Sequence, residues 1–435
     1  MFKKKIFVLC LFYFFSIIFC YAEEYKQIDF ITAVEIAQKN NLDIQVSQID
    51  VSVAKNDIKI ANRLQNPSFS TFWNFGEAGK GNPNQIGLSE TIELFKRNPR
   101  KNLAKTKYKL AYDNYEYDKF NLKMDIAEAY IKLVIAKFIL KRYEQQKQYI
   151  EQLLSTANKD ITKDKQVNNT MNLIQSRIAL NEILATVNKA KAEVKIARIE
   201  FNKMINEKNS NNYYDVKDID INNLNDIIKI NIPILKGTLP PFEQIKEIAI
   251  ENRYDIRIAK NQIDVAEKNL TVVVRQLVPD LEIGSGYSYQ FANDSDTNKF
   301  KSGAYISAGL VNIPLFYTYK PEIKNAKLEV EQANLNYIST VSKALKNLEM
   351  SYEKFRMARV NIKYYNKNIL QDTEMLFKNF EQIYKEKDVD FSDLVSIEET
   401  YYDFINGYST ALLDYYIGWI DFLREVNTEN FVISL

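Results

Sequence analysis

Cys10 and Cys20 are the only cysteines in this chain of 435 residues, and it has no histidine. Thiolate and imidazole supply many protein nucleophiles, most soft-metal ligands and the commonest general base near neutral pH. Both cysteines fall in an N-terminal targeting stretch, so cleavage after it leaves a mature chain with neither group. That excludes disulfides, cysteine nucleophiles, His-based triads and thiolate or imidazole metal sites. Carboxylates remain, among them Asp388, Asp390 and Asp393, but no pair of them carries a catalytic signature. With 11 glycines the chain offers no Gly-rich phosphate loop. Lys and Arg number 58 against 56 Asp and Glu, so there is no one-signed surface for nucleic acid. No constellation for an enzyme is found, a periplasmic enzyme built on a carboxylate pair being the reading with least support, and no cofactor is expected.

The targeting stretch has the three parts of a secretory signal. Lys3, Lys4 and Lys5 form a basic start, Ile6 to Phe19 an apolar run, and Cys20-Tyr21-Ala22 a small-residue cleavage site. Residues 1–22 are read as the signal, with the mature chain starting near Glu23. A second reading makes Cys20 a lipidated cysteine, although the residue before such a cysteine is normally small and here is Phe19. After the signal the most hydrophobic stretch, Ala127 to Leu140, is interrupted by Glu128, Lys132 and Lys137, so no membrane-spanning helix is expected.

The remaining sequence is duplicated. Phe30 to Phe69 aligns without a gap on Phe242 to Leu281, matching Glu35-Ile36-Ala37 to Glu247-Ile248-Ala249 and Asp43-Ile44 to Asp255-Ile256, and ending on Pro67 and Pro279. Each proline marks a switch from helix to strand, because proline cannot continue a helix and biases its predecessor toward extended geometry. After Pro279, Leu281, Ile283, Tyr287, Tyr289 and Phe291 share one phase, with Glu282, Ser288 and Gln290 on the other. In the first half Phe69, Trp73 and Phe75 oppose Ser68, Ser70 and Asn74. This period-two alternation predicts strands with one apolar and one polar face. A second strand is expected in each half, ending at Ile92-Glu93-Leu94-Phe95 and at Ile313-Pro314-Leu315-Phe316. The hairpins thus cover about 67–95 and 279–316.

Pro99 and Pro321 then open helical stretches of roughly 60 residues, which at 1.5 Å per residue reach about 90 Å. Their apolar residues recur at coiled-coil-like spacing, as in Tyr130, Val134 and Phe138 or Leu348, Tyr352 and Phe355. A last helix closes each half, Asn172 to about Met204 and Phe391 to about Val426. The chain therefore divides into a first repeat, 23–208, a polar linker, 209–237, a second repeat, 238–428, and a short tail, 429–435. Each repeat reads helix, hairpin, very long helix, helix.

A sheet in lipid must close, because every backbone polar group there needs a protein partner. One chain supplies four strands, so several copies must share a barrel; three give twelve strands, between the filled barrels of about eight and the wet ones of about 16. With these elements in this order, the chain resembles the TolC-like outer-membrane efflux proteins. The duplicated helix–proline–strand segments and the Ile-x-Leu-Phe strand ends before a long helix carry that resemblance, which covers essentially the whole mature chain. It implies a mixed α+β membrane protein: a homotrimer with a transmembrane β-barrel in the outer membrane, continued by a long α-helical coiled-coil barrel in the periplasm. It further implies a passive conduit, in contact with outer-membrane lipid and coupled through a periplasmic adaptor to an inner-membrane pump. The entrance of that family lies at the periplasmic tips, here the turn from Tyr384 to Leu394. The resemblance makes Asp393, with Asp390 and Asp388, the candidates for an entrance that favours cations, and places Asn172 at the corresponding position of the first half. The family's glycine at this turn is replaced by Lys385 to Asp388, and its further acid one turn on falls near Ser396.

Each assignment has a plainer counterpart. Asp393 at a helix start is also what the helix dipole favours. Trp73, Phe75, Tyr287, Tyr289 and Phe291 fit an aromatic belt at the membrane surface, and Trp73 equally fits the core of a half-buried strand. A secreted coiled-coil structural protein or adhesin without a pore explains the signal and the long helices, but not two amphipathic hairpins at equivalent places in a duplication.

Overall fold

The computed structural model describes residues 25–74, 83–163, 167–206, 208, 213–217, 239–289, 302–365 and 391–427, with single positions between 366 and 390. The signal 1–22 with its Cys20, the tail 429–435, and Phe75, Phe291, Asp388 and Asp390 lie outside the described residues.

The first half begins with strand β1 (Lys26–Ile28) and helices α1 (Phe30–Asn40) and α2 (Leu42–Ala61). Strands β2 (Ser68–Phe72) and β3 (Asn84–Ile92) follow, then α3 (Arg97–Lys163) and α4 (Val167–Ile205). A short strand β4 (Tyr214–Val216) precedes the second half: α5 (Phe242–Asn252), α6 (Tyr254–Val274), a 3₁₀ turn (Arg275–Leu277), β5 (Asp280–Tyr289), β6 (Gly303–Val311), α7 (Lys320–Tyr364) and α8 (Phe391–Val426). The 67 residues of α3 span about 100 Å at 1.5 Å per residue. Its N-terminal part packs on α2 and α6, its C-terminal part on α4 and α8.

The opening helix of each half is broken in two. Asn41 and Arg253 both leave the helix for extended backbone, with ψ of 127° and 125°. Asn41 starts α2 itself, its Oδ1 accepting from the amides of Asp43 at 2.8 Å and Ile44 at 3.1 Å. Arg253 makes no such cap. Its guanidinium instead bridges Asp255 and Glu425 and donates to the Glu425 carbonyl at 2.7 Å. Burial works against its charge, but these hydrogen bonds outweigh it and raise its pKa further. In the first half Asn41 reaches the carbonyl of Met204 at 2.9 Å. Both final helices end on a left-handed asparagine, Asn206 at φ 45° and Asn427 at φ 60°, a geometry asparagine tolerates better than most residues.

The duplication extends into the core. Phe30, Tyr130 and Phe201 stack edge to face at 6.0 and 5.9 Å between ring centroids. Phe242, Tyr352 and Phe422 repeat the arrangement at 5.6 and 6.2 Å. Around the second triad Phe355 and Trp419 lie 5.0 Å apart, so the largest buried side chains gather where α5, α7 and α8 meet. Each such aromatic pair adds about 0.5–1.5 kcal/mol beyond its burial.

Four differences from the sequence expectation have physical causes. The strands stop at Ile92 and Val311 rather than running to Phe95 and Phe316, because Phe95 (φ 61°) and Asn312 (φ 57°) are left-handed and cannot stay in a ladder. The stretch read as linker contains β4, which pairs in parallel with β1. Its Tyr214 and Val216 are buried, and Asp215 is neutralised by Lys137 at 3.4 Å and Arg198 at 3.1 Å. Asn172 lies inside α4 rather than at a helix start, its carbonyl accepting from Ser176 Oγ at 2.9 Å. Finally, α2 ends at Ala61, six residues before Pro67. Arg97 Nε and Arg100 Nε cap its last carbonyls, at Asn62 and Ala61, at 2.8 and 2.9 Å. Pro67 and Pro279 each stand immediately before a strand, so they launch β2 and β5 rather than stop the helices.

Candidate membrane sheet and periplasmic tip

The four longer strands form one antiparallel sheet in the order β2-β3-β5-β6, so the two hairpins join through β3 and β5. Side chains alternate across a strand, and the register therefore sorts them. Phe69 pairs with Leu88, Ile86 with Tyr287, Ile92 with Leu281, and Leu281 with Leu310. That face is mostly apolar and exposed in the single chain, with Ile306 as much as 86% accessible and Glu90, paired with Ile283, as its one charge among the described residues. The opposite face carries Ser68, Ser70, Gln85, Ser89, Gly284, Ser288 and Ser307, with Phe72 beside Gln85 as an exposed apolar exception. A soluble sheet buries its apolar face and wets its polar one; here the apolar face has no cover within the chain. No helix among the described residues is long and apolar enough to cross a membrane.

One aromatic ring lies across the small-residue face. Ser70, Gly87, Gly286 and Tyr305 are successive cross-strand neighbours. A Cβ on Gly87 would stand 2.5 Å from Tyr305 Oη, and one on Gly286 would stand 2.3 Å from the Ile86 carbonyl oxygen and 2.7 Å from Tyr305 Oη. Glycine at both positions is what lets the phenol settle on the sheet.

Trp73 follows directly on β2 and meets Tyr289 edge to face at 6.1 Å. Trp73 and Tyr287 are exposed, so three of the five residues expected in an aromatic belt lie at the loop end of the sheet. At the other end, where strands give way to long helices, Phe95, Phe316 and Tyr317 are also exposed. The sequence reading placed Phe95 and Phe316 at strand ends; freed from the ladder, they rim the base of the sheet. The sheet is tied to the helices by an ion pair between halves: Lys96 Nζ meets Asp280 Oδ2 at 2.8 Å, and Asn312 Nδ2 donates to the same oxygen at 3.0 Å. Both charged side chains are buried, and neither was legible as a site, since Asp280 reads as one more residue after a proline.

At the far end Asp393 occupies the first turn of α8 and is exposed, while the next residue, Leu394, is fully buried. The turn that carries Asp388 and Asp390 lies outside the described residues, so only one of the three acids has a described place. Between α3 and α6, the buried Asp113 binds Arg257 Nε at 3.1 Å and Asn261, a second link between the halves that the sequence did not announce.

No protein-family model matches the chain. Over 354 residues it is 22% identical to the "Toxin and drug export protein A" of Aggregatibacter actinomycetemcomitans, covering 77% of this chain and 72% of that protein. Over 315 residues it is 21% identical to an uncharacterized protein of Haemophilus influenzae, covering 69% of this chain. It spans 62% of that relative, less than two thirds of its length. Among solved structures, the open state of the MtrE outer membrane channel of Neisseria gonorrhoeae superposes with a TM-score of 0.71 at 15% identity, over 92% of this chain and 89% of that one. CusC, described for its transmembrane channel formation, gives 0.70 at 16% identity over 92% and 93%. The CmeC outer membrane channel of Campylobacter jejuni gives 0.70 at 15% identity over 91% and 85%. The chain has the fold of these outer-membrane channels.

Proposed function

We propose that the protein is one subunit of a trimeric, TolC-like duct that spans the outer membrane, extends into the periplasm, and passively conducts exported material. The sheet carries this reading: four strands with an apolar exposed face and a Ser- and Gly-rich opposite face. Among the described residues its outermost strands, β2 and β6, each have one partner. A sheet in lipid needs both edges paired, and β6 of one copy against β2 of the next closes twelve strands from three chains. The Ser- and Gly-rich face then lines a wet lumen and the apolar face meets lipid, between a rim of Trp73, Tyr287 and Tyr289, to which the sequence pattern adds Phe75 and Phe291, and a rim of Phe95, Phe316 and Tyr317.

The helices supply matching seams. Val46, Ile49, Val53 and Ile60 form an exposed stripe along α2, and Leu328, Leu335 and Ile338 one along α7. Neighbouring copies would cover both. Asp393, with Asp390 and Asp388, stands at the periplasmic entrance, where three copies around one axis favour cations. Energy comes from an inner-membrane pump, reached through a periplasmic adaptor at the tips. The relative named for toxin and drug export fits this role. A coiled-coil adhesin without a pore leaves the apolar face of the sheet in water.

Conductance of the purified protein in planar bilayers tests the reading; a folded sample that gives no channel events overturns it. Closure is tested separately. A cysteine-free mature chain carrying Thr71→Cys and Ile306→Cys should cross-link into a closed trimer on oxidation, and monomers alone would refute the β2–β6 seam.

A further inference from the structure

A cavity of about 310 Å³ opens between α3, α4 and α8, well away from the sheet. Four carboxylates line it, Glu182 from α4 and Glu398, Glu399 and Asp403 from α8, with the rings of Tyr143 and Tyr402 as walls and Gln146 on α3. Among the described residues that line it there is no lysine or arginine. Glu398 is 2% exposed, and its Oε1 is buried without a hydrogen-bond partner. Asn406 Oδ1, lining the same cavity, is also buried and unpartnered. Two acceptors without donors in one acidic cavity call for a ligand that brings N–H groups and positive charge.

Several cations on the surrounding helices have partners of their own, and one of them, Arg142, also acts on the cavity wall, where it opposes the rise that burial imposes on the Tyr402 hydroxyl. Arg142, one turn before Gln146, donates to Gln145 Oε1 at 3.2 Å and lies over the Phe138 ring. Lys147 pairs with Glu151 at 3.4 Å, and Lys191 with Glu144 at 3.8 Å. From the side of α7, Tyr365 packs on Phe404 and Tyr408 and brings no charge. Among the described residues no group of three or more carboxylates is placed to hold a metal ion, which turns the choice from a bare cation to an organic one.

We infer that this cavity is a binding site for a small protonated organic amine, whose N–H groups donate to Glu398 Oε1 and Asn406 Oδ1 and whose charge lies against Tyr143 and Tyr402. The volume is at the small end of ligand pockets, which run from about 300 to 1,000 Å³, and suits a linear polyamine or one amine head. Aromatic rings within about 6 Å of an ammonium add about 0.5–2 kcal/mol of attraction. The site lies in the wall formed by the coiled coils, so its occupant would hold α8 against α3 and α4. The inference rests on side chains of one chain and does not require the duct reading.

Burial pushes the Glu398 carboxyl up to about 7; a hydrogen bond from Gln146 opposes the rise, and Glu399 and Asp403 add to it. An amine binds the ionised form, so binding below that pH releases a proton and affinity grows as pH rises through about 7. Spermidine is the probe, titrated calorimetrically into the purified full-length mature protein in detergent, in buffers of different ionisation enthalpy. The expected result is saturable binding about tenfold tighter at about pH 8 than at about pH 6, with proton release at the lower pH. Glu398→Gln, which keeps the shape without the charge, should lose at least about tenfold in affinity and all of the pH dependence. Equal affinity in that variant, or no saturable binding to the parent chain at either pH, overturns the site. If Glu398→Gln fails to fold, Asn406→Ala decides: a comparable loss supports the site and unchanged binding overturns it. Glu267→Gln, at an exposed acid of α6 that does not line the cavity, should bind spermidine normally, and an equal loss there would reduce the binding to general attraction between charges and refute the site.

Discussion

Arg253 Nη1 donates to the carbonyl of Glu425 at 2.7 Å, across 172 positions of sequence, and so fastens the end of the second half to its beginning. Asn41 and Met204 make the corresponding clamp in the first half at 2.9 Å. The two clamps differ in chemistry, and so should their loss. Arg253→Met leaves Asp255 and Glu425 without their cation and should cost about 3–5 kcal/mol. Asn41→Ala removes a helix cap and one neutral hydrogen bond and should cost about 1–2 kcal/mol. Urea unfolding of the solubilised protein measures both, and equal losses would show that the halves are fastened by something else.

The Gly87–Gly286–Tyr305 row gives two glycine substitutions with different fates. In Gly87→Ala the nearest obstacle is the Tyr305 hydroxyl, at 2.5 Å from the new methyl. Tyr305→Phe removes that atom and should restore most of the assembled protein lost in Gly87→Ala. In Gly286→Ala the obstacle is the Ile86 carbonyl oxygen, which no side-chain change removes. The double variant with Tyr305→Phe should remain as poorly assembled as the single one. Yields of heat-resistant oligomer on gels distinguish the two, and rescue of both would mean that the sheet backbone yields.

What the sequence showed and what it hid follow from the range of the interactions. Period-two alternation and two prolines in register mark the strands, because a strand's faces are written locally. The long helices are equally legible, lacking proline and glycine over most of their length. The breaks at Asn41 and Arg253 are hidden, since each depends on a carbonyl more than 160 positions away, on Met204 or Glu425. Lys96–Asp280 and Asp113–Arg257 are hidden for the same reason. Glu398 sits two residues beyond Ser396, the position where the family's second tip acid was found missing, and looks like one more acid on a helix. Only packing against Gln146 and Tyr143 sets it apart.

Glu398 also makes stability depend on pH. Its folded pKa of about 7 lies above the ordinary 4.5, so the packed form holds a proton the unfolded chain has released between those values. The favourable contribution is complete below about pH 4.5 and is lost as pH rises through about 7. A shift of this size corresponds to on the order of 3 kcal/mol. Without ligand, the melting temperature of the parent chain should fall between about pH 5 and pH 8 relative to that of Glu398→Gln. Parallel pH profiles for the two proteins would rule this out.

Asp393 is exposed in the first turn of α8, and its conversion to asparagine separates a structural from a conducting role. As an entrance acid, Asp393→Asn should reduce cation preference and block by multivalent cations while leaving the fold unchanged. As a helix-dipole partner alone, it should cost about 0.3–1 kcal/mol of stability and leave reversal potentials as they were. Reversal potentials in asymmetric salt read the difference directly.

The two aromatic triads also have a mechanical meaning. Tyr130 lies near the midpoint of α3, so about 33 residues, or about 50 Å, run from it toward the sheet and a similar length toward the tip. The clamp at Arg253 stands nearer the sheet, since the adjacent Tyr254 packs on Tyr117 and Phe120 of α3. α3 is therefore a balanced lever with its fulcrum at Phe30, Tyr130 and Phe201. A tilt that opens the tip by a few ångströms must move the sheet end by a comparable amount or be absorbed by bending along the way. In the proposed trimer a closed barrel would resist such displacement, which would leave the compliance to the lower arm, between Tyr130 and the tip.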